Sequence, residues 1–137
     1  MSGVTSTDHY YELLAHGREA RTLQAGEVIF QRGDPGESLF VVRSGSVDLT
    51  DGDRVVETVT APGLFGEMAL IEDTPRSLSA VAAGDATVIE IPARHFWVLV
   101  HDTPYFAQLV MGVMAQRLRS QSAPAATASP APGAAAA

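Results

Sequence analysis

Between Ala20 and Ile91 the chain is a series of short apolar runs separated by turn residues, and this pattern limits the folds available to it. The turns include Gly33-Asp34-Pro35-Gly36, Ser44-Gly45 and Asp51-Gly52-Asp53, the last being typical of a tight β-hairpin. Roughly seven or eight short strands at nearly even spacing predict an antiparallel jelly roll or barrel. The expected fold is therefore mainly β, with helices flanking the barrel.

Alternation within the apolar runs predicts which side chains face the inside of the barrel, because successive residues of a strand point to opposite faces. A slip of one residue would move a whole strand to the other face, so each run is assigned separately. The predicted inward residues are Val28, Phe30, Phe40, Val42, Val47, Leu49, Val59, Val81 and Val88.

Two helices are predicted after the barrel. Pro92 closes the last strand, and Ala93–Val100 has the apolar spacing of a short helix. Asp102-Thr103-Pro104 is a typical helix start, because a capping side chain precedes a proline at the first helical position. This second helix is expected to run to about Ser120.

The second helix carries an apolar stripe at helical spacing. The stripe is Phe106, Leu109, Val110, Val113 and Arg117. Met111, Met114 and Leu118 widen it, so this helix can contact two partners, one of which could be a second copy of the chain.

The chain is expected to be one domain with four regions. Residues 1–19 form a polar segment with a short amphipathic helix over His9–Arg21, which is expected to pack on the outside of the barrel. Residues 20–92 form the barrel and residues 93–121 the C-terminal helices. Residues 122–137 contain few residue types besides alanine and proline and are expected to be disordered.

Charge and composition exclude several classes of protein. The formal net charge is −7 and no basic stripe is visible, so nucleic acid is not an expected partner. The chain has no cysteine, which fits a reducing compartment. Its start lacks the pattern of a secretion signal, and its apolar stretches are too short to span a bilayer, so a cytoplasmic location without membrane insertion is expected.

The residues give little support to an enzyme. Metal-dependent barrels need clustered histidines on facing strands, whereas His9, His16, His95 and His101 all lie outside the predicted strands. No pattern of a nucleophile with a base, and no phosphate-binding loop of the P-loop type, occurs. A non-enzymatic protein without cofactor or metal is expected.

Residues 63–82, GLFGEMALIEDTPRSLSAVA, predict a short helix followed directly by an arginine. Gly66 frees the backbone before the helix, and Glu67–Ile71 are good helix formers for about one turn. Thr74-Pro75 ends that turn, because the residue before a proline is pushed out of the helical region. Arg76 then returns to the same place at the start of the next strand.

This arrangement predicts a site for a ribose phosphate. Free amides at a helix start attract anions, and arginine offers a planar charged fork suited to phosphate. Glu67 is a poor phosphate ligand but a good acceptor for sugar hydroxyls. An anion cradle, a cation and a carboxylate within about fifteen positions form a more specific signal than any one of them.

Phe65-Gly66-Glu67-Met68-Ala69-Leu70 followed by Pro75-Arg76-Ser77 resembles the phosphate-binding cassette of cyclic nucleotide-binding domains. That family includes the regulatory subunits of cAMP-dependent protein kinase, bacterial catabolite activator proteins and nucleotide-gated channels. Gly33–Gly36 and Gly45–Val47 are also similar to the family, so the resemblance covers roughly residues 20 to 120. We call residues 63–78 the phosphate-binding cassette.

The resemblance implies a role for each matched position. Glu67 would bind the ribose 2′-hydroxyl and Arg76 would pair with the cyclic phosphate. The amides of Ala69 and Ser77 would reach the phosphate oxygens, and Gly66 would contact the ligand near the ribose. In that family the helices after the barrel move when nucleotide binds, and the last often caps the base or forms a dimer.

The base is expected to stack on apolar residues of the barrel and of the helix that follows Pro104. The expected ligand-binding residues are Val59, Gly66, Glu67, Met68, Ala69, Leu70, Arg76, Ser77 and Leu78. Family members that prefer cGMP often have threonine directly after the arginine, whereas catabolite activators that bind cAMP have serine, as here. Ser77 offers a hydroxyl as threonine does, so both cAMP and cGMP stay open as ligands, and cAMP is the favoured one.

The predicted function is a cyclic nucleotide sensor that acts on a protein effector by moving its C-terminal helices. After the last helix there is no room for a DNA-binding region of about 50 residues. Two alternatives stay open: a ligand-free interaction barrel with the same fold, and a regulatory fragment of a nucleotide-gated channel.

Overall fold

The computed structural model describes residues 17–122, which form two β-sheets flanked by helices. The strands are β1 (Ala20–Leu23), β2 (Val28–Phe30), β3 (Ser38–Ser44), β4 (Ser46–Asp51), β5 (Arg54–Thr60), β6 (Gly63–Phe65), β7 (Ser79–Ala82) and β8 (Ala86–Pro92). The helices are α1 (Glu67–Glu72), α2 (Ala93–Asp102) and α3 (Pro104–Ser122). The predicted mainly β fold with flanking helices is confirmed.

The strands form two antiparallel four-stranded sheets, and neighbours within a sheet come from distant parts of the chain. One sheet has the order β1-β8-β3-β6 and the other β2-β7-β4-β5. Successive strands therefore alternate between the sheets except at the β4–β5 hairpin, which is joined through Asp51-Gly52-Asp53 as predicted. This is the strand arrangement of a jelly roll.

Two apolar cores hold the molecule together. The inner core lies between the two sheets and includes Phe40, Val42, Val47 and Phe65. The outer core lies between the β3–β8 sheet and the helices. Its members are Leu39, Val41, Leu64, Leu70, Ile89, Ile91, Phe96, Phe106 and Val110.

Strand β3 contributes to both cores, because alternate residues face opposite sides of the sheet. Leu39 and Val41 point to the helices, while Phe40 and Val42 point between the sheets. A strand buried on both faces reads as a continuous apolar run, which is the pattern of Leu39–Val42.

Six of the predicted inward residues lie in the inner core: Phe40, Val42, Val47, Leu49, Val59 and Val88. Phe30 packs against that core, but Val28 is wrongly assigned, because it is 45% exposed. Strand β2 has a register irregularity between Val28 and Phe30. A strict alternation cannot foresee such a bulge, since the extra residue shifts the facing of one end of the strand.

Val81 was also predicted to face inward and does not belong to the inner core. Its neighbours Ala80 and Ala82 fill the inward positions of β7 instead. Val81 is the register partner of Val28, so both lie on the outer side of the sheet. Alanine at the inward positions is a weak apolar signal, and the larger valine dominated the sequence pattern.

The structure also corrects the ends of the chain. The predicted helix over His9–Arg21 is wrong at its C-terminal end, because β1 begins at Ala20 and pairs with β8. The rest of that helix up to His16, and the predicted disorder from Ala123, lie outside the described residues. Helices α2 and α3 start where predicted and each run two residues further than predicted. Among the described helices, none has both the length and the apolar character needed to cross a bilayer.

Candidate functional site

A glycine, Gly66, directly precedes α1, and the backbone conformation at that position favours glycine. Gly66 has φ +87°, which L-residues with a side chain rarely adopt. A Cβ added there would lie 3.0 Å from Nη1 of Arg76. The helix ends at Glu72, and the residue that caps it, Asp73, also has a left-handed backbone with φ +55°. The sequence-predicted short helix with a glycine before it and a break before Pro75 is thus observed.

Backbone contacts bring Arg76 back beside α1. The amide of Gly33 donates to the carbonyl of Arg76 at 2.8 Å, and the amide of Arg76 donates to the carbonyl of Asp34 at 2.8 Å. Gly36 in the same turn packs so closely on α1 that an added Cβ would lie 2.2 Å from the Cβ of Ala69. The turn after β2 therefore joins both halves of the cassette.

The guanidinium of Arg76 is held by carbonyl groups rather than by a carboxylate. Nη1 donates to the carbonyl of Gly66 at 2.8 Å, and Nη2 donates to the carbonyl of Ser38 at 2.6 Å. Arg76 is 6% exposed, and its Nε is buried without a hydrogen-bond partner. Within residues 17–122 no ion pair involves Arg76.

Burial lowers the pKa of Arg76, and the charges of Glu90, Asp34 and Glu67 oppose that effect from a distance. An arginine stays protonated in a protein even so. Arg76 is thus a buried cation whose charge no adjacent anion neutralises, and such a group favours binding of an anion.

Glu67 is completely buried at the start of α1. Its Oε2 accepts from Nη1 of Arg117 at 2.6 Å, while its Oε1 has no hydrogen-bond partner. A buried carboxylate with one oxygen bonded and the other free can accept a further donor such as a hydroxyl group.

Arg117 reaches this site from α3. Besides Glu67, it contacts Glu57 on β5, with Nε donating to Oε2 at 2.8 Å, and it donates from Nη2 to the carbonyl of Leu64. Burial by itself lowers the pKa of Arg117, but the two carboxylates outweigh it and the pKa lies above its usual value. We call Arg117, Glu57 and Glu67 the helix clamp, because they join α3 to the barrel and to α1.

The sequence reading missed this clamp. Arg117 was assigned to the apolar stripe of the last helix and Glu57 was given no role. The available signal was a single charged residue within an apolar stripe. A charge at such a position needs a buried partner.

A cavity runs between α1, β2 and α3. Of the residues predicted to bind ligand, seven line it: Gly66, Glu67, Met68, Ala69, Arg76, Ser77 and Leu78. The structure does not bring Val59 and Leu70 into this cavity. Val59 borders a neighbouring groove between β5 and α3, and Leu70 belongs to the outer core. Phe30 and Glu57 also line the cavity without having been predicted, and Met114 and Arg117 line it from the helix after Pro104, which was expected to contact the base.

The two histidines within the described residues do not line the cavity. His95 and His101 lie on α2, whereas His9 and His16 precede the described residues. Over residues 17–122 no group of His, Asp and Glu side chains is arranged to hold a metal ion.

The fold and the cavity together define a class of protein: a jelly-roll domain whose cavity is lined by a buried arginine and a buried carboxylate. The chain belongs to the cyclic nucleotide-binding domain family, whose model matches residues 20–103. This confirms the resemblance seen in the cassette. The family consists of regulatory binding domains.

Known relatives match across the described part of the chain. The chain is 34% identical over 106 residues to the cyclic AMP receptor protein of Thermus thermophilus, covering 74% of this chain and 49% of that protein. It is 42% identical over 100 residues to glutaminase 1 of Bradyrhizobium diazoefficiens, covering 72% of this chain and 16% of that protein. The chain thus spans less than half the length of either relative.

A solved structure supports the same relationship. The Thermus thermophilus catabolite activator protein superposes with a TM-score of 0.70 at 30% identity, covering 86% of this chain and 57% of that one.

Proposed function

We propose that this chain binds a 3′,5′-cyclic nucleotide in the cavity and signals through α3. The observation that carries the proposal is that the guanidinium of Arg76 is buried and yet takes part in none of the ion pairs of residues 17–122. A phosphate monoanion would neutralise it and could accept from Nε. The free oxygen of Glu67 would accept the ribose 2′-hydroxyl in the same cavity.

The proposed ligand contacts follow the cassette. Gly66, Ala69 and Ser77 lie beside the two charged groups, where their backbone can approach the sugar and the phosphate. Met68, Leu78 and Met114 supply apolar surface for the base. Val59 and Leu70 were expected to contact the base, and α3 would have to shift for a base to reach Val59. We expect cAMP to bind more tightly than cGMP, because serine rather than threonine follows the arginine.

The helix clamp supports a route from the cavity to α3. Arg117 and a bound ribose would share the same carboxylate of Glu67. A ligand that hydrogen-bonds Glu67 therefore changes the surroundings of Arg117, and α3 adjusts its position accordingly. A ligand can shift such an equilibrium only by its difference in affinity for the two arrangements.

The output is a protein effector rather than a reaction or a nucleic acid. We propose no enzymatic activity and no cofactor for the described domain, and the acidic net charge of −7 disfavours DNA. Met111 on α3 is 62% exposed, so α3 is available for an effector or for a second copy of the chain. The chain could equally serve as the regulatory part of a channel.

One observation favours the alternative of a ligand-free interaction barrel. Arg117 already satisfies one oxygen of Glu67 and binds Glu57 as well, so part of the polar surface of the cavity is paired within the protein. In that case Arg76 would be a structural residue that ties β3 to α1 through two carbonyl groups.

Calorimetric titration of the full chain with cAMP and with cGMP tests the proposal. Binding by wild type, lost in Arg76→Ala and kept in Arg32→Ala, supports it. Arg32 is the matched control, because it is an exposed arginine paired with Asp51 and does not line the cavity. No heat and no thermal shift at millimolar concentrations of either nucleotide would refute the sensor function and leave the ligand-free barrel.

A further inference from the structure

We propose that Phe30 is a positioning residue for Arg76, whose ring fixes the plane of the guanidinium against which the phosphate binds. Cζ of Arg76 lies 4.0 Å from the ring centroid of Phe30 and 5.9 Å from that of Phe40. The face of an aromatic ring attracts a cation at such distances, and the attraction grows when the cation is shielded from water. Arg76 is almost fully buried, so this condition holds.

Strand β2 brings ring and arginine together in two ways. The register irregularity between Val28 and Phe30 places Phe30 opposite the inward-facing Ala80. The turn that follows β2 then makes two backbone hydrogen bonds with Arg76. The amide of Gly33 donates to the carbonyl of Arg76, and the amide of Arg76 donates to the carbonyl of Asp34. The same short segment thus fixes the main chain of the arginine and one face of its side chain.

The ring itself is held by two others. Its centroid lies 5.8 Å from that of Phe40 and 6.0 Å from that of Phe65, and these two rings stack at 5.1 Å. Phe40 and Phe65 are buried in the inner core, whereas Phe30 is partly exposed and lines the cavity. Phe30 therefore connects the rigid core to the wall of the binding site.

This arrangement decides how an anion can approach Arg76. Nη1 and Nη2 each donate to a carbonyl group, and Cζ of the guanidinium lies over the ring of Phe30. An anion must then come in the plane of the guanidinium, where the remaining hydrogens and Nε–H point. A side chain already fixed in this orientation loses little conformational entropy when the ligand binds.

The positioning role rests on the proposed function, since it describes how Arg76 meets the nucleotide phosphate. Phe30→Leu keeps an apolar side chain and removes the ring. We expect it to weaken cyclic nucleotide binding about five- to thirtyfold, the range of one desolvated cation–π contact. Phe30→Tyr keeps the ring and should restore affinity. Phe96→Leu is the matched control, because it removes a buried ring that lies outside the cassette and not over Arg76.

A double-mutant cycle separates positioning from packing. If Phe30 acts through Arg76, Phe30→Leu should cause no further loss of affinity when Arg76 is already changed to Gln. An equal loss in both backgrounds, an equal loss in Phe96→Leu, or no loss in Phe30→Leu would each overturn the proposal.

A measurement without nucleotide distinguishes failure of this role from failure of the proposed function. In the free protein the Nε–H resonance of Arg76 should be shifted upfield by the ring current of Phe30, and the shift should vanish in Phe30→Leu but persist in Phe96→Leu. If wild type binds neither nucleotide yet shows this pattern, the proposed function is wrong while the ring still fixes the guanidinium. If the resonance is the same in Phe30→Leu, the positioning role is wrong whatever the protein binds.

Discussion

Nη1 of Arg117 lies 2.6 Å from Oε2 of Glu67, although the two residues are 50 positions apart in the chain. The contact joins α3 to Glu67, the first residue of α1. Glu67 is fully buried and the side chain of Arg117 is 15% exposed, so water screens their attraction weakly. The pair joins α3 to α1. On the proposed function it is also the contact through which a bound ligand would act on α3.

Removing one partner of this pair should destabilise the fold. Arg117→Ala leaves Glu67 buried with neither oxygen paired to a cation, and we expect it to lower the free energy of unfolding by about 3–5 kcal/mol. Chemical denaturation measures the change. Arg119→Ala on the same helix is the control and should change stability by less than about 0.5 kcal/mol, because Arg119 is exposed and its side chain hydrogen-bonds the exposed Gln116.

The double variant Glu67→Gln/Arg117→Met carries this prediction further. It removes both charges, so it should recover much of the stability that Arg117→Ala loses. If Arg117→Ala proves no less stable than Arg119→Ala, the helix clamp does not hold α3 in solution.

Arg76 and Glu67 should both be needed for binding, with Arg76 the more important. Arg76→Ala is expected to weaken nucleotide binding by about 2–5 kcal/mol, the range for removing one member of a buried charged pair. Glu67→Ala should cost somewhat less affinity, because it loses a hydrogen bond to a neutral hydroxyl rather than to a phosphate. Titration calorimetry gives both values, and a larger loss in Glu67→Ala would mean that the phosphate does not lie on Arg76.

Gly36 should tolerate no side chain. Gly36→Ala would place a Cβ 2.2 Å from the Cβ of Ala69, and we expect a loss of about 1–3 kcal/mol in stability from overpacking. Gly84→Ala is the matched control, because no atom lies within 4 Å of a Cβ built there. The double variant Gly36→Ala/Ala69→Gly should recover part of the loss, and no recovery would show that the strain arises elsewhere.

Trp97 should report on movement of α3. It is the single tryptophan, and its ring packs edge-on against Phe96 at 4.8 Å, while Phe96 contacts Phe106 of α3 at 5.7 Å. A nucleotide that reseats α3 should therefore change tryptophan emission, and Arg76→Ala should show no change at the same ligand concentration. Calorimetric binding without any change in emission would argue that α3 keeps its place against α2.

Stability should fall slightly as the pH drops below about 6.5, the usual pKa of histidine. Burial and the nearby Arg18 lower the pKa of His95 in the folded state. The unfolded chain then binds this proton more readily, so the contribution is present above the unfolded pKa and is lost as the pH falls through the folded one. Denaturation curves at several pH values should show a smaller decrease in His95→Gln, and an unchanged pH profile would contradict the assignment.

The cassette could be read from the sequence because its determinants are local. The shape of Gly66–Arg76 is fixed within eleven positions. A glycine precedes the helix formers, a proline ends the turn, and an arginine follows the proline directly. The jelly roll was predictable for a similar reason, since short strands and turn residues alternate along the chain. Neither inference needed to know which distant residues meet.

The helix clamp and the facing of β2 were not predictable in this way. Arg117 meets Glu57 and Glu67 only when α3 is placed at a particular rotation and height against the barrel, which periodicity does not determine. The sequence pattern assigns Val28 to the wrong face of the sheet. The register irregularity in β2 reverses the face to which the residues before it point. Side-chain partners across the fold and local bulges are set by packing, whereas the periods of strands and helices are set by the backbone.

The match to the family model ends at residue 103, one residue before α3 begins. A shortened protein designed on that boundary would lose Phe106 and Val110 from the outer core, and Glu67 would lose its hydrogen bond with Arg117. Such a piece would keep every residue of the cassette and still lack one wall of the cavity. Engineering of this domain as a portable nucleotide receptor should therefore carry the chain through at least Arg117.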